Sequence, residues 1–242
     1  MMVKIYKQLI QQYASKLKIQ IDETQLTLLS HYCESIESES VIKGFTKIQD
    51  PNNIANRHIG ESLFLQECIN KYPHNAKSKL IDIGSGIGVP GIILGIMNSN
   101  YLIDLLDSNR KKSLYSESVI KKLNLNNINA ISERVEDLAK EKKELYEYAV
   151  AKALAPLSVI MEYAMPLLKI NGLLFAPKGT ESRKEANTVQ NASKELACEI
   201  IDIIEFPDDL TKNNQAIIVI KKLNKTPSNF PRKTGIALKR PL

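Results

Sequence analysis

A chain of 242 residues, 43% of them hydrophobic, is long enough for one large α/β domain with a sizeable core, and no uninterrupted apolar run reaches membrane length. The formal net charge of +6 is unevenly placed: residues 221–242 hold seven basic side chains and no acid, so the rest of the chain is close to neutral. That basic tail (Lys221, Lys222, Lys225, Arg232, Lys233, Lys239, Arg240) is either a handle for phosphate backbones or a solvated segment. Cys33, Cys68 and Cys198 stand far apart, and His31, His58 and His74 show no ligand spacing, so free thiols in a reducing compartment are expected and no metal site. The first ten residues lack a signal-peptide core, which makes a cytoplasmic protein the expectation.

Residues 1–70 read as a helical region. Ile5, Leu9, Tyr13 and Leu17, then Leu26, Leu29, Tyr32, Cys33 and Ile36, recur at helical spacing, with a helix start at Asp22 to Thr24. Gly44 to Asp50 reads as a loop, and Asp50-Pro51 opens a further helix on which Arg57 and Glu61, four apart, are placed to pair. His58 and Ser62 share a neighbouring face. Tyr72 to Ser78 reads as a linker into a core spanning 71–222, and 223–242 as the basic tail, all in one compact domain.

Within the core, strands and helices alternate. Strands are expected at Leu80–Ile83, Tyr101–Leu106, Ile128–Ser132, Tyr146–Lys152 and Gly172–Pro177, and helices at Asn109–Leu123, Arg134–Lys140, Pro156–Leu168 and Glu181–Leu196. Two last strands, Ile200–Glu205 and Ala216–Lys222, have no clear helix between them and suggest an antiparallel hairpin at one edge. The pattern predicts a doubly wound, mostly parallel sheet with ligands at the carboxyl ends of its strands.

The stretch from Asp82 to Gly91 carries the chemistry. Gly84, Gly86 and Gly88 follow a short apolar strand and precede a helix, so backbone amides are free to approach a ligand. The spacing departs from the dinucleotide fingerprint, whose third glycine is here Val89, and Asp82 would repel a pyrophosphate while suiting a cationic amine. Asp107, 23 residues beyond Gly84 at the end of the second strand, is placed to accept both ribose hydroxyls. Strand, D-x-G-x-G-x-G, helix, strand and acid together resemble the S-adenosylmethionine site of class I methyltransferases. The fourth strand ends in Val150-Ala151-Lys152-Ala153-Leu154-Ala155-Pro156, without the D/N-P-P-Y/F motif of exocyclic-amine methylation, and no cysteine lies at a strand end to act as a nucleophile for pyrimidine carbon-5. A nucleophile with a lone pair and no proton, such as guanine N7, needs neither.

Several motifs narrow the resemblance. They are Arg57-His58-Ile59-Gly60-Glu61-Ser62-Leu63, the turn ending in Val89-Pro90-Gly91-Ile92, Leu105-Leu106-Asp107-Ser108, Arg134-Val135-Glu136-Asp137, Ala151 to Leu157, Ala176-Pro177-Lys178-Gly179, and the ending Phe230 to Gly235 with Lys239-Arg240-Pro241-Leu242. Over nearly its whole length the chain resembles the bacterial 16S ribosomal RNA guanine-N7 methyltransferases called RsmG, or glucose-inhibited division protein B. The resemblance implies a Rossmann-like, seven-stranded fold with helices on both faces. It implies an S-adenosyl-L-methionine site at Asp82, Gly84, Ser85, Gly86, Gly88, Val89, Asp107, Val135, Glu136 and Lys152, with Asp107 at the ribose and Val135 and Glu136 flanking the adenine.

Lys152 stands where the family usually has an arginine, keeping the charge and losing the planar fork. Gly44-Phe45-Thr46 and Ala237 also depart from the family pattern. Lys152 and Lys178 are expected as the catalytic cations nearest the target base, and Arg232, Lys233, Lys239 and Arg240 as phosphate ligands. The implied partner is 16S rRNA or the small ribosomal subunit, bound by a monomer, with no DNA, membrane or metal. Two other readings stay open: a non-catalytic RNA-binding protein on this fold, and a small-molecule methyltransferase, which would leave the basic tail without a role.

Overall fold

The structure, a computed structural model, describes residues 2–72, 77–211 and 214–242; the Pro73 to Ala76 part of the expected linker, with His74, lies outside the described residues. The chain opens with α1 (Met2–Leu17) and α2 (Glu23–Ser35), which runs into a π-helical turn, Ile36–Ser40. Asp22 caps α2 through a capping box with Gln25, as the sequence suggested. Next come α3 (Pro51–Asn53), capped by Asp50, a second π-helical stretch, Ile54–Gly60, and α4 (Glu61–Asn70). The core follows as β1 (Lys79–Ile83), α5 (Gly91–Met97), β2 (Leu102–Leu106), α6 (Arg110–Lys122), β3 (Ile128–Ile131), α7 (Val135–Glu141), β4 (Tyr146–Val150), α8 (Leu157–Ala164) and β5 (Leu168–Lys178). It closes with α9 (Ser182–Ala186), α10 (Gln190–Glu195), β6 (Cys198–Glu205), β7 (Ala216–Lys222) and α11 (Ile236–Lys239).

The seven strands form one sheet in the order β3-β2-β1-β4-β5-β7-β6, parallel except for β7, which runs antiparallel to both β5 and β6. Strand order reverses between β1 and β4, so the crevice at their carboxyl ends is where such a sheet accommodates a ligand. Alternate residues feed two cores. Leu80, Ile103, Leu105 and Val150 pack beneath α1, α2, α4 and α5, while Ile81, Ile83, Leu106 and Ala149 pack beneath α7, α8 and the C-terminal segment. Among the described residues, no helix is long and apolar enough to cross a membrane.

Three local expectations are corrected. The buried stripe of α1 is Tyr6, Ile10 and Ala14, one residue on from the stripe expected, and Ile5 is exposed; the Tyr6 hydroxyl donates to Glu37 (3.0 Å), which lets an aromatic with a polar tip take the inner position. The helix expected to reach Leu168 ends at Ala164, because Pro166 lacks an amide donor and a strand begins at Leu168. The helix expected over Glu181–Leu196 breaks in two at Asn187 to Val189, where the Thr188 hydroxyl donates to the Glu185 carbonyl (2.8 Å) and competes with the helical bond.

Candidate active site

The turn after β1 is held in a left-handed path, with φ of +72° at Gly84, +59° at Gly86 and +93° at Gly88. Amides of Gly84 and Ser85 both donate to the Leu106 carbonyl (2.7 and 3.0 Å), tying the turn to the end of β2. There the two oxygens of Asp107 accept from the Gly86 amide (2.9 Å) and the Asn109 amide (2.7 Å). The N-terminal helices clamp the turn from outside, through the Tyr32 hydroxyl on the Ile87 carbonyl (2.8 Å). Gly91 lets α5 lie against the sheet: a Cβ there would stand 2.2 Å from Leu105 Cδ2 and 2.9 Å from Asp82 Oδ2. Gly88 is buried, and a Cβ there would stand 2.4 Å from Ile92 Cδ1, so it serves packing, whereas Ser85, though buried, lines the second hollow beside Gly86.

Asp82 is fully buried behind this turn. Its Oδ2 accepts from the Gly91 amide (2.8 Å), while Oδ1 has no partner among the described residues. Burial pushes the carboxyl up to about 7, against the opposing pull of the Gly91 amide and Lys152.

Two hollows meet at Gly84. One is walled by Asp107, Glu133, Val135, Glu136, Tyr163 and Leu238; the other by Phe45, Arg57, His58, Glu61, Val89 and Lys152. The isobutyl group of Leu154 lines the first hollow and packs over Gly84, 2.6 Å from where a Gly84 Cβ would be. Above Gly86 there is open space, with no atom within 4 Å of a Cβ position. This surface fits S-adenosylmethionine: open space above Gly86, a strand-end carboxylate at Asp107 and, behind the turn, an unpartnered oxygen of Asp82.

In the second hollow, Lys152 Nζ is held by Glu61 Oε2 (2.7 Å) and the Arg57 carbonyl (2.6 Å). Glu61 thus pairs with Lys152 and not, as expected, with Arg57, whose exposed guanidinium has no ion pair among the described residues. His58 lines this hollow, 8% exposed, with Nε2 unpartnered, and burial followed by the neighbouring Lys152 and Arg57 lowers its pKa to about 3. The Ser62 hydroxyl is used on the His58 carbonyl (2.5 Å).

Lys178 departs from its expected place at the target base. Its Nζ bonds the Ala155 carbonyl (2.9 Å) and Glu185 Oε2 (2.7 Å), and the same Glu185 oxygen accepts from the Leu157 amide (2.9 Å). It fastens the loop that carries Lys152 and Leu154. Arg232 also departs from expectation: its guanidinium is forked on Glu162 of α8 (2.5 to 3.0 Å), whose side chain is 2% exposed, so it anchors the tail instead of facing solvent. Glu136, expected beside the adenine, lines the first hollow, and its Oε1 accepts from the Gly235 amide (2.9 Å). Lys233, Lys239 and Arg240 are exposed, with no ion pair among the described residues. Sequence reasoning missed Glu162, Leu154 and Leu238. Only Glu162 left a trace, as a lone acid inside the apolar run of α8.

A parallel sheet with its β7 reversal, and a glycine ledge between two hollows at the switch point, define a class I S-adenosylmethionine-dependent methyltransferase fold. Solved structures sharing it include a putative S-adenosyl-L-methionine-dependent methyltransferase from Methanococcus maripaludis (TM-score 0.55, 16% identity, 72% of this chain and 90% of that one). Another is M. jannaschii TYW2 in complex with AdoMet (TM-score 0.52, 16% identity, 67% of this chain and 73% of that one). Sequence goes further than fold. The model of the GidB family, rRNA small subunit methyltransferase G, matches residues 25–222. Ribosomal RNA small subunit methyltransferase G of Fusobacterium nucleatum subsp. nucleatum is 36% identical over 227 residues (94% of this chain, 96% of that protein), and that of Caldicellulosiruptor bescii 35% over 217 residues (89% and 91%). The chain belongs to the rRNA small subunit methyltransferase G family and is a methyltransferase.

Proposed function

We propose that this enzyme transfers a methyl group from S-adenosyl-L-methionine to N7 of a guanine in 16S rRNA, acting as a monomer in the cytoplasm on the RNA or the small ribosomal subunit. Family membership supports the rRNA substrate, and the second hollow supports N7. Its wall offers no effective base: His58 is held neutral with a pKa of about 3, and Glu61 is committed to Lys152. An exocyclic amine or a hydroxyl would have to lose a proton there, whereas N7 attacks with its free lone pair.

When bound, the cofactor supplies an electrophilic methyl on a sulfonium. The protein's own part is alignment and exclusion of water. Asp107 receives the ribose, Val135 and Glu136 flank the adenine, and Gly84, Gly86 and Val89 border the cofactor, with open space above Gly86. Asp82, from behind the turn, supplies negative charge toward the amine. Lys152 is the cation nearest the target base, fixed by Glu61 and the Arg57 carbonyl. Lys178 is a positioning residue for that loop, and Lys233, Lys239 and Arg240 take phosphates, with Arg232 setting the tail that presents them.

Purified protein with methyl-labelled cofactor is expected to label small-subunit RNA or particles from a strain lacking the corresponding enzyme, at a site revealed by N7-specific cleavage and primer extension. Label confined to large-subunit RNA, tRNA or small molecules overturns the reading. Truncating the tail is a poor control, because Phe230 and Ala237 are buried in the core. Neutralising Lys233, Lys239 and Arg240 together isolates its charge: a small-molecule enzyme would be indifferent to it.

A further inference from the structure

The tail does more than carry charge. The short helix α11 places Leu238 in the wall of the hollow that also contains Val135, Glu136 and Tyr163, yet Leu238 is 54% exposed. Two anchor points hold it there. Arg232 is forked on Glu162, the residue before Tyr163, and the Gly235 amide donates to Glu136. Ala237, next to Leu238, is buried in the same core as α8. The exposed cations Lys239 and Arg240 follow directly.

We propose that the turn 235–240 is a shared element of two binding sites: Leu238 closes over the adenine, Lys239 and Arg240 receive RNA phosphates, and cofactor and RNA therefore bind cooperatively. The inference rests on the methyltransferase reading above. An adenine ring covering Leu238 removes apolar surface from water, worth roughly a five-fold change in affinity for half a leucine side chain. It also restrains the exposed outer side of a turn whose inner side is already anchored, so RNA meets cations that have lost part of their positional freedom. Reciprocity requires RNA to tighten the cofactor by the same factor.

The test is calorimetric titration of the full chain with S-adenosylhomocysteine and with 5′-deoxy-5′-methylthioadenosine, with and without small-subunit RNA. Leu238→Ser is expected to weaken both ligands about five-fold, with an unchanged melting temperature because the side chain is half open, and Leu238→Met to restore wild-type affinity. Lys239→Gln/Arg240→Gln is expected to bind S-adenosylhomocysteine like the wild type without RNA and to lose the tightening that RNA gives the wild type. Wild-type affinity in Leu238→Ser, or an RNA that leaves wild-type cofactor affinity unchanged, overturns the proposal. A wild type that binds neither nucleoside ligand overturns the methyltransferase reading itself, a result distinct from either.

Discussion

Two sets of cations surround the glycine turn, and they differ in what they face. Lys152, Lys178 and Arg232 are each matched to an acid, namely Glu61, Glu185 and Glu162, and have little exposure. Arg57, Lys233, Lys239 and Arg240 are exposed and carry no ion pair among the described residues. Net charge alone places both sets in one class. Environment separates them, since a partly buried cation paired to an acid is held in one place, most firmly where that acid is itself buried (Glu61, Glu162), while an unpaired, hydrated one is free to exchange its counter-ions for phosphates.

The comparison is most exposed at Arg232. Arg232→Ala leaves the Glu162 carboxylate buried without its counter-charge, a defect that costs about 3 kcal/mol, whereas Lys233→Ala next to it should stay within about 0.5 kcal/mol. Denaturant unfolding of the two variants checks this, and equal stabilities would erase the distinction. Next in size is Lys152→Met, expected to lower kcat about 100-fold through a lost positioned charge. Lys152→Arg should keep most of the rate, and single-turnover methylation measures both. For the free set, Lys239→Gln/Arg240→Gln should reduce the log–log salt slope of RNA binding by about 1.4, two phosphate contacts at about 0.7 each. An unchanged slope would remove both residues from the interface.

What could be read from the sequence follows the same division. The ledge was legible because its determinants are local: an apolar strand, glycines in fixed spacing, and Asp107 at the next strand end. The mostly parallel sheet and the antiparallel last pair were legible from alternation and from the missing helix before the last strand, whereas the insertion of β7 between β5 and β6 had no local signal. The anchors were not, because their partners lie far along the chain: Arg232 and Glu162 are 70 residues apart, Gly235 and Glu136 are 99 apart, and neither pair leaves a local pattern. Periodicity found α1 but misplaced its buried face by a residue, since it takes no account of a tyrosine whose hydroxyl finds Glu37.

The smallest expected effect concerns Asp82, an acid matched to no side-chain cation in hydrogen-bond contact and so the mirror image of the free lysines. Its carboxyl, raised to about 7, is half protonated near neutrality. Because the folded pKa lies above the unfolded one, the native state holds the extra proton between roughly pH 4 and 7, and the stability it contributes declines as pH rises through that window. A ligand ammonium in the adjoining hollow acts across the turn on the buried carboxyl and favours its charged form, so binding S-adenosylhomocysteine at pH 7 should expel roughly half a proton. Affinity should accordingly rise with pH up to about 7 and level off above it. Titrations in two buffers of different ionisation enthalpy count the proton, and Asp82→Asn should release none. Identical heats in the two buffers for the wild type would mean that Asp82 does not respond to the ligand and serves only to hold the Gly91 amide.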